Sequence, residues 1–123
     1  MLINGFFAPA AGGSANSIPL CWWQGWSGRW YVTSRMALSR RACDAPGVFV
    51  LVRRGEDGFA SPLAVGSSDD IERTLRGEAA GALAAAAGAG ANEIHVNLVG
   101  SGRAERDHAA FDIARAWTVP VWH

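Results

Sequence analysis

The sequence predicts an α+β fold, in which a mostly antiparallel sheet is covered by helices. Three observations predict it: two pairs of β-prone runs joined by glycine-containing turns, a long stretch with helical periodicity, and a final strand followed by a second helix. The 123 residues fit one domain, and half of them are hydrophobic, which is enough for a sizeable core. We therefore expect the element order β-β, β-β, α, β, α.

The front of the chain predicts a flexible arm and then a tryptophan-rich hairpin. Residues 1–17 are rich in Gly, Ala, Ser and Asn, which is typical of a poorly ordered N-terminal arm ahead of one domain over residues 18–123. In residues 18–34, IPLCWWQGWSGRWYVTS, two β-prone runs flank GWSG, whose glycines suit a tight turn. Strand alternation places Trp22 and Trp23 on opposite faces and leaves Trp26 exposed in the turn.

A second hairpin and a helix follow. VFVLVRR (48–54) predicts a strand, GEDG (55–58) a turn and SPLAVG (61–66) a short second strand. From Asp69 to about Ala87 the apolar residues recur with helical spacing, and Ser68 or Asp69 can cap the helix N-terminus. Gly77 and Gly81 weaken this predicted helix.

The last third of the chain predicts a half-buried strand, a helix and an extended tail. In NEIHVNLV (92–99), one side of the strand carries Ile94, Val96 and Leu98, and the other carries Glu93, His95 and Asn97. Residues 103–117 predict a helix whose apolar face holds His108, Phe111, Ala114 and Trp117. TVPVWH (118–123) predicts a short extended tail.

Composition excludes several classes of protein. With 11 basic and 11 acidic residues the formal net charge is zero, so no general attraction to nucleic acid or anionic membrane is expected. No apolar run is long enough for a membrane span, and no secretory signal is recognisable. Cys21 and Cys43 fit no metal-binding motif, so we expect buried free thiols in a cytoplasmic protein without a cofactor.

The order β-β-α-β-α over residues 46–117 resembles the core of the GIY-YIG nuclease superfamily. Two triplets carry the resemblance, one on each strand of the second hairpin; they are Gly47-Val48-Phe49 and Ala64-Val65-Gly66. The resemblance implies a tyrosine in each triplet, a catalytic arginine on the helix that follows, and a glutamate on a later helix that binds a metal ion.

The sequence departs from that pattern at the positions that carry chemistry. Ala64 replaces the tyrosine that helps to activate water, and Phe49 keeps the ring of the other tyrosine without its hydroxyl. The family's arginine position falls on Thr74, with Arg73 one residue early, which is about 100° of helix rotation. Glu105 is the candidate metal ligand, although Asp107 and Asp112 are equally available. These departures predict a member that has lost its nuclease activity.

The leading interpretation is therefore a binding module rather than an enzyme. Trp26, Arg29 and Trp30 are the candidate binding residues, because exposed tryptophan beside arginine suits a protein partner, a second copy of the chain, or single-stranded nucleic acid. A purely structural role, in which the tryptophans cover both faces of the sheet, is the alternative for the hairpin. A structural subunit of a larger assembly also remains open.

A divergent nuclease is the enzymatic alternative. It would use Arg73 or Arg76 to bind phosphate, Glu105 to bind Mg²⁺ or Mn²⁺, and Tyr31 or His95 as the base, all converging beside Ala64. Each candidate base also has a structural interpretation: Tyr31 as a packed residue, and His95 as a surface histidine. His108, which lies on the predicted apolar face of its helix, is expected to be a core histidine.

Overall fold

A computed structural model of the chain describes residues 5–8, 19–98 and 102–122, and its fold is α+β, as the sequence predicts. The strands in chain order are β1 (Gly5–Ala8), β2 (Leu20–Gln24), β3 (Trp30–Ala37), β4 (Gly47–Arg54), β5 (Ala60–Ser68), β6 (Glu93–Asn97) and β7 (Val121–Trp122). The helices are α1 (Ile71–Arg76), α2 (Ala80–Gly88) and α3 (Arg103–Trp117), and a short 3₁₀ helix, Leu38–Arg40, follows β3.

Within the described residues the strands form one seven-stranded sheet in the order β1-β2-β3-β6-β4-β5-β7. Neighbouring strands are antiparallel, except that β7 lies parallel to β5, so the sheet is mixed. Strand β6 lies between β3 and β4 and joins the two strand pairs into a single sheet. Every residue of β4 from Gly47 to Val52 is buried, which explains why that strand reads as a continuous apolar run.

Helices cover both faces of this sheet and create two cores. On one face, called here the α3 face, Val48, Val50 and Val52 of β4 pack against Ala110 and Ile113 of α3. On the other, the α1–α2 face, the alternate residues Phe49 and Leu51 pack with Ile71, Leu75 and Ile94. The period of two along β4 therefore sends successive side chains into different cores.

The single helix predicted over residues 69–87 is two helices. Helix α1 ends at Arg76, where the Gly77 N–H donates to the carbonyl oxygens of Arg73 and Thr74, and α2 begins at Ala80. The low helix propensity of Gly77 is consistent with a break at this point. The N-cap is Asp70, whose side chain accepts from the Arg73 N–H, rather than the predicted Ser68 or Asp69.

The predicted apolar face of the last helix is wrong for two of its four members. His108 and Phe111 are exposed, whereas Ala110, Ile113 and Ala114 are buried, with Ala109 and Trp117 packed beside them. The small alanines let α3 lie close to the sheet, so the buried stripe runs one residue away from the larger side chains. His108 is therefore not the core histidine that the sequence analysis expected.

Both ends of the described chain pair with the sheet. Residues 5–8 form β1, antiparallel to β2 from Gly5↔Trp23 to Ala8↔Leu20, which corrects the prediction of a flexible arm for these four residues. The rest of the predicted arm, residues 1–4 and 9–17, lies outside the described residues. The predicted extended tail supplies β7, whose Val121 and Trp122 pair with Val65 and Gly66.

Two expectations from composition can be compared with the structure. Cys21 and Cys43 are buried free thiols, as predicted. No helix in the described ranges combines the length and the apolar character needed to cross a membrane.

Candidate functional site

The turn between β2 and β3 is a tight, glycine-defined connection. The Gly25 N–H donates to the Arg29 carbonyl over 2.8 Å, and the Gly28 N–H donates to the Gly25 carbonyl over 3.0 Å. Gly28 has a φ of 91°, in the left-handed region that favours glycine. This geometry leaves Trp26 and Ser27 at the tip of the β2–β3 pair.

A buried carboxylate on α3 holds this tip in place. Asp112 Oδ1 accepts from the Ser27 N–H over 2.9 Å, and Oδ2 accepts from the Ser27 hydroxyl over 2.7 Å and from the Tyr31 hydroxyl over 2.8 Å. The carbonyl of the same residue accepts from the Trp26 N–H over 2.9 Å. A Cβ at Gly25 would lie 2.0 Å from Oδ2, so only glycine fits against this carboxylate. We call Asp112, Ser27 and Tyr31 the Asp112 clamp.

The clamp fixes the protonation states of its members. Burial disfavours the charged form of Asp112, but the hydrogen bonds from Ser27 and Tyr31 outweigh it and hold the pKa of this carboxyl below its usual value. Burial, and the hydrogen bond donated to Asp112, raise the pKa of Tyr31 to about 12. Tyr31 therefore stays protonated at neutral pH and is poorly suited to act as the base of a nuclease.

An aromatic surface lies beside the clamp, towards the C-terminal end of α3. The side chains of Trp26 and Phe111 are 62% and 61% exposed, and the Arg115 guanidinium carbon lies 4.9 Å from the centre of the Trp26 ring. These residues border a hollow of about 470 Å³. We call this surface the tip patch; its lining is Trp26, Phe111, Ala114, Arg115, Thr118, Val119 and Val121.

A second hollow, the hairpin groove, lies towards the N-terminal half of α3 and has a volume of about 450 Å³. Arg29 and Trp30 line it, and the Arg29 guanidinium carbon lies 5.7 Å from the centre of the Tyr31 ring. Glu105 and the exposed His108 line it from α3. The three predicted binding residues are thus divided, because Trp26 belongs to the tip patch and the other two belong to this groove.

The two family-like triplets lie side by side on β4 and β5. Phe49 is the direct cross-strand partner of Gly66, and a Cβ at Gly66 would lie 2.3 Å from the Phe49 ring. Glycine at this position therefore makes room for the aromatic ring of the first triplet. Ala64 packs against the core of the α1–α2 face and brings no ionisable group to it.

A polar groove of about 250 Å³ lies between α1, α3 and the end of β5. Arg73 and Thr74 line it, together with Arg103 and Asp107 of α3. Its charges are largely engaged with one another: Arg106 pairs with Asp69, and the Ser67 hydroxyl donates to Asp107.

Among the described residues, the structure brings two of the predicted nuclease residues together, Glu105 and Tyr31, and separates them from the predicted arginines. Arg73 lines the polar groove, whereas Glu105 and Tyr31 line the hairpin groove. The exposed side chain of Arg76 pairs with Glu72 on α1 over 2.8 Å. His95 is fully buried and lines neither groove. The convergence beside Ala64 that the nuclease hypothesis requires is therefore absent among the described residues.

The prediction of a surface His95 is wrong, because its side chain is completely buried in a polar network. The Trp23 indole N–H donates to His95 Nδ1 over 2.9 Å, and His95 Nε2 lies 2.9 Å from Glu93 Oε1. Arg54 Nε donates to Glu93 Oε2 over 2.8 Å. We call these four residues the His95 network. On the polar side of β6, His95 is fully buried beside Trp23, whereas Glu93 and Asn97 are half-buried.

The hydrogen-bond donors in the network determine the tautomer and the protonation state of His95. An indole N–H can only donate, so Nδ1 accepts and the ring hydrogen lies on Nε2, from which it is donated to Glu93. Burial is the main reason that the pKa of His95 lies below its usual value. Burial opposes ionisation of Glu93, but hydrogen bonds from His95 and Arg54 lower its pKa to about 2. A neutral histidine therefore lies beside an ionised glutamate.

Two functional features escaped the sequence analysis. Asp112 was considered only as an alternative metal ligand, since nothing local shows that a tip far away in the chain packs against it. The sequence contained a weak indication that Glu93 and His95 are neighbours, because both lie on one side of a strand whose other side is apolar. Their partners Trp23 and Arg54 come from other strands and could not be identified from spacing.

Comparisons with known proteins give no further identification. No protein-family model, no curated protein and no solved structure matches the chain. Within the described ranges, no group of three or more His, Cys, Asp and Glu side chains is arranged to hold a metal ion.

Proposed function

We propose that this protein is a non-catalytic interaction module, in which a degenerate GIY-YIG-like core carries the tip patch as a docking surface for a second copy of the chain. The observation that carries this proposal is the position of an exposed, rigidly held tryptophan next to an apolar hollow of about 470 Å³. The exposed ring and the hollow that it borders belong to the same surface of one molecule.

The family relationship is supported by the element order and by the contact between the triplets. The Phe49 ring of the first triplet packs directly on Gly66 of the second. This contact needs an aromatic ring in one triplet and a glycine in the other, and both are present. The loss of nuclease chemistry is supported by Ala64, by the missing hydroxyl at Phe49, and by the raised pKa of Tyr31. The separation of Arg73 from Glu105 supports the same conclusion.

A protein surface is the best match for the chemistry of the tip patch. Tryptophan, other large aromatic residues and arginine supply most of the binding energy at protein interfaces. The Asp112 clamp fixes the backbone beneath Trp26, so little conformational entropy remains to be lost when the ring is buried by a partner. A formal net charge of zero gives no general attraction to the phosphates of nucleic acid, which argues against that partner.

A second copy is the partner that the shape of this surface favours. In a two-fold symmetric dimer the same patch meets itself, so a projecting Trp26 from each copy can enter the hollow floored by Ala114 and Val119 of the other. Zero net charge also means that two copies do not repel each other through their overall charge.

Replacing Trp26 by alanine is expected to weaken self-association by about tenfold or more, because it removes the projecting ring from both halves of the interface. The measurement is sedimentation velocity over a concentration series of the full chain. Trp30→Ala is the matched control, because it removes a tryptophan of the same hairpin that lies outside the tip patch. A wild type that stays monomeric throughout the series, or equal weakening by both substitutions, would contradict the proposal.

The wild-type protein is also expected not to nick supercoiled plasmid with Mg²⁺ or Mn²⁺, because Glu105 shares its groove with neither Arg73 nor Arg76, and Tyr31, which does share it, stays protonated at neutral pH. The assay compares folded wild type with Glu105→Ala, and gel mobility of the plasmid is the readout. Cleavage by the wild type that disappears in Glu105→Ala would show that the core is catalytic and would overturn this part of the proposal.

A further inference from the structure

Helix α3 ends at a residue with an unfavourable backbone conformation. Thr118, which caps the last turn, has φ 54° and ψ 50°, in the left-handed region. It is the one non-glycine residue with a positive φ in the described part of the chain. A β-branched residue is rare in this region, because its Cβ crowds the backbone carbonyl. Glycine is the usual residue at this point of a helix end, so threonine here lowers the stability of the fold.

The fold requires the left-handed turn but not the threonine side chain. The N–H groups of Thr118 and Val119 both donate to the Ala114 carbonyl. The chain then enters β7, where the Pro120 carbonyl accepts from the Val65 N–H over 3.0 Å. These bonds use backbone atoms alone, so glycine would make the same bonds without the strain. The Thr118 side chain is exposed, and its hydroxyl has no hydrogen-bond partner among the described residues.

This side chain lines the tip patch, the docking surface of the proposed function, on which the present inference rests. Of the side chains that line the hollow, Thr118 alone carries an oxygen, because Trp26 and Arg115 can only donate hydrogen bonds and the others are apolar. In the proposed dimer the Trp26 ring of each copy enters the hollow of the other, which removes its indole N–H from water. A buried indole N–H usually requires an acceptor.

We propose that Thr118 is the specificity-determining residue of the tip patch, and that its Oγ1 accepts a hydrogen bond from the Trp26 indole N–H of a second copy. Two-fold symmetry forms this bond twice, once in each direction. The strained residue lowers the stability of each copy, and its hydroxyl stabilises only the dimer. An unfavourable backbone conformation retained on a binding surface is consistent with such a role.

The test is sedimentation velocity of the full chain over a concentration series, with three substitutions at this position. Valine has nearly the shape of threonine and the same β-branching, so Thr118→Val keeps the strain and the hollow but removes the acceptor. We expect Thr118→Val to weaken self-association by about tenfold or more, because two buried indole N–H groups lose their partners. Thr118→Ser keeps the hydroxyl and is expected to stay within about twofold of the wild type.

The third substitution separates binding from folding. Thr118→Gly relieves the backbone strain and removes the whole side chain. It is expected to keep or raise the midpoint of urea denaturation while it weakens self-association as much as Thr118→Val does. A residue with a structural role alone would not weaken self-association in a variant of equal or greater stability.

The possible failures are distinguishable. Self-association that is weakened by Trp26→Ala but unchanged in Thr118→Val would overturn this inference and leave the proposed function standing. Equal weakening by Thr118→Ser and Thr118→Val would show that the hydroxyl is not the group recognised, and would also overturn it. A wild type that stays monomeric throughout the series would overturn the proposed function and this inference together.

Discussion

Replacing Glu93 by alanine is expected to lower the free energy of unfolding by about 3–5 kcal/mol, the range typical of breaking a buried ion pair from one side. Glu93 accepts from Arg54 Nε over 2.8 Å and lies 2.9 Å from His95 Nε2. Without this carboxylate, Arg54 Nε and the buried imidazole N–H of His95 both lose their acceptor, and the guanidinium keeps the Gly58 carbonyl as the acceptor of Nη1. Arg54 already has one buried nitrogen, Nη2, without a hydrogen-bond partner, so it has little capacity to compensate.

Urea denaturation of Glu93→Ala and of the wild type measures this loss. Glu105→Ala is the matched control, because it removes an exposed glutamate and is expected to change the free energy of unfolding by no more than about 0.5 kcal/mol. A loss below about 1 kcal/mol in Glu93→Ala would mean that water replaces the carboxylate and that the network contributes little to stability.

The same network predicts the direction of the pH dependence. The pKa of His95 lies below its usual value in the folded protein, so the unfolded chain takes up a proton first and stability falls as the pH drops below about 6.5. The pKa of Glu93 is about 2 when folded against 4.5 ordinarily, so its contribution is lost as the pH falls through that interval. Both effects destabilise the protein in acid, and Glu93→Ala is expected to flatten the dependence between the two Glu93 values.

Replacing Asp112 by alanine is the second large effect, with an expected loss of about 2–3 kcal/mol in the free energy of unfolding. The substitution removes the acceptor of the Ser27 N–H and hydroxyl and of the Tyr31 hydroxyl. Ser27 is exposed and can bond to water, but Tyr31 is only 8% exposed, so its hydroxyl is left without a partner in a mostly buried position. Urea denaturation measures the loss.

Asp112→Ala is also expected to weaken self-association, although Trp26 is still present, because the neighbouring Ser27 would no longer be held by the carboxylate and the tip would lose part of its anchor to α3. Tyr31→Phe provides a graded comparison, since it removes one of the three side-chain hydrogen bonds and is expected to cost about 1 kcal/mol. Self-association unchanged in folded Asp112→Ala would show that the clamp serves stability alone and does not preorganise the tip patch.

Local sequence determined most of the strands, turns and helices, but not β1 or the break between α1 and α2. Alternation over residues 93–97 determined which side chains share a face, and Trp22 and Trp23 do lie on opposite faces of β2, as predicted. Glycines in the β2–β3 connection marked the turn and left Trp26 exposed. Each of these features depends on the backbone geometry of a few neighbouring residues, which the local residue types control.

Tertiary structure alone decided what covers each face. His95 was predicted on the correct side of its strand but at the surface, and only the position of β6 between β3 and β4 buries it next to Trp23 and Arg54. His108 was predicted in the core, and only the packing of alanines on α3 against the sheet turns it outward. Asp112 became the anchor of the hairpin tip through contacts with residues more than 80 positions away. Periodicity in the sequence shows which side chains share a face of a strand or helix. Long-range strand pairing and helix packing determine which residues lie against that face. Those contacts determine which side chains are buried, which are protonated and which surfaces remain exposed for binding.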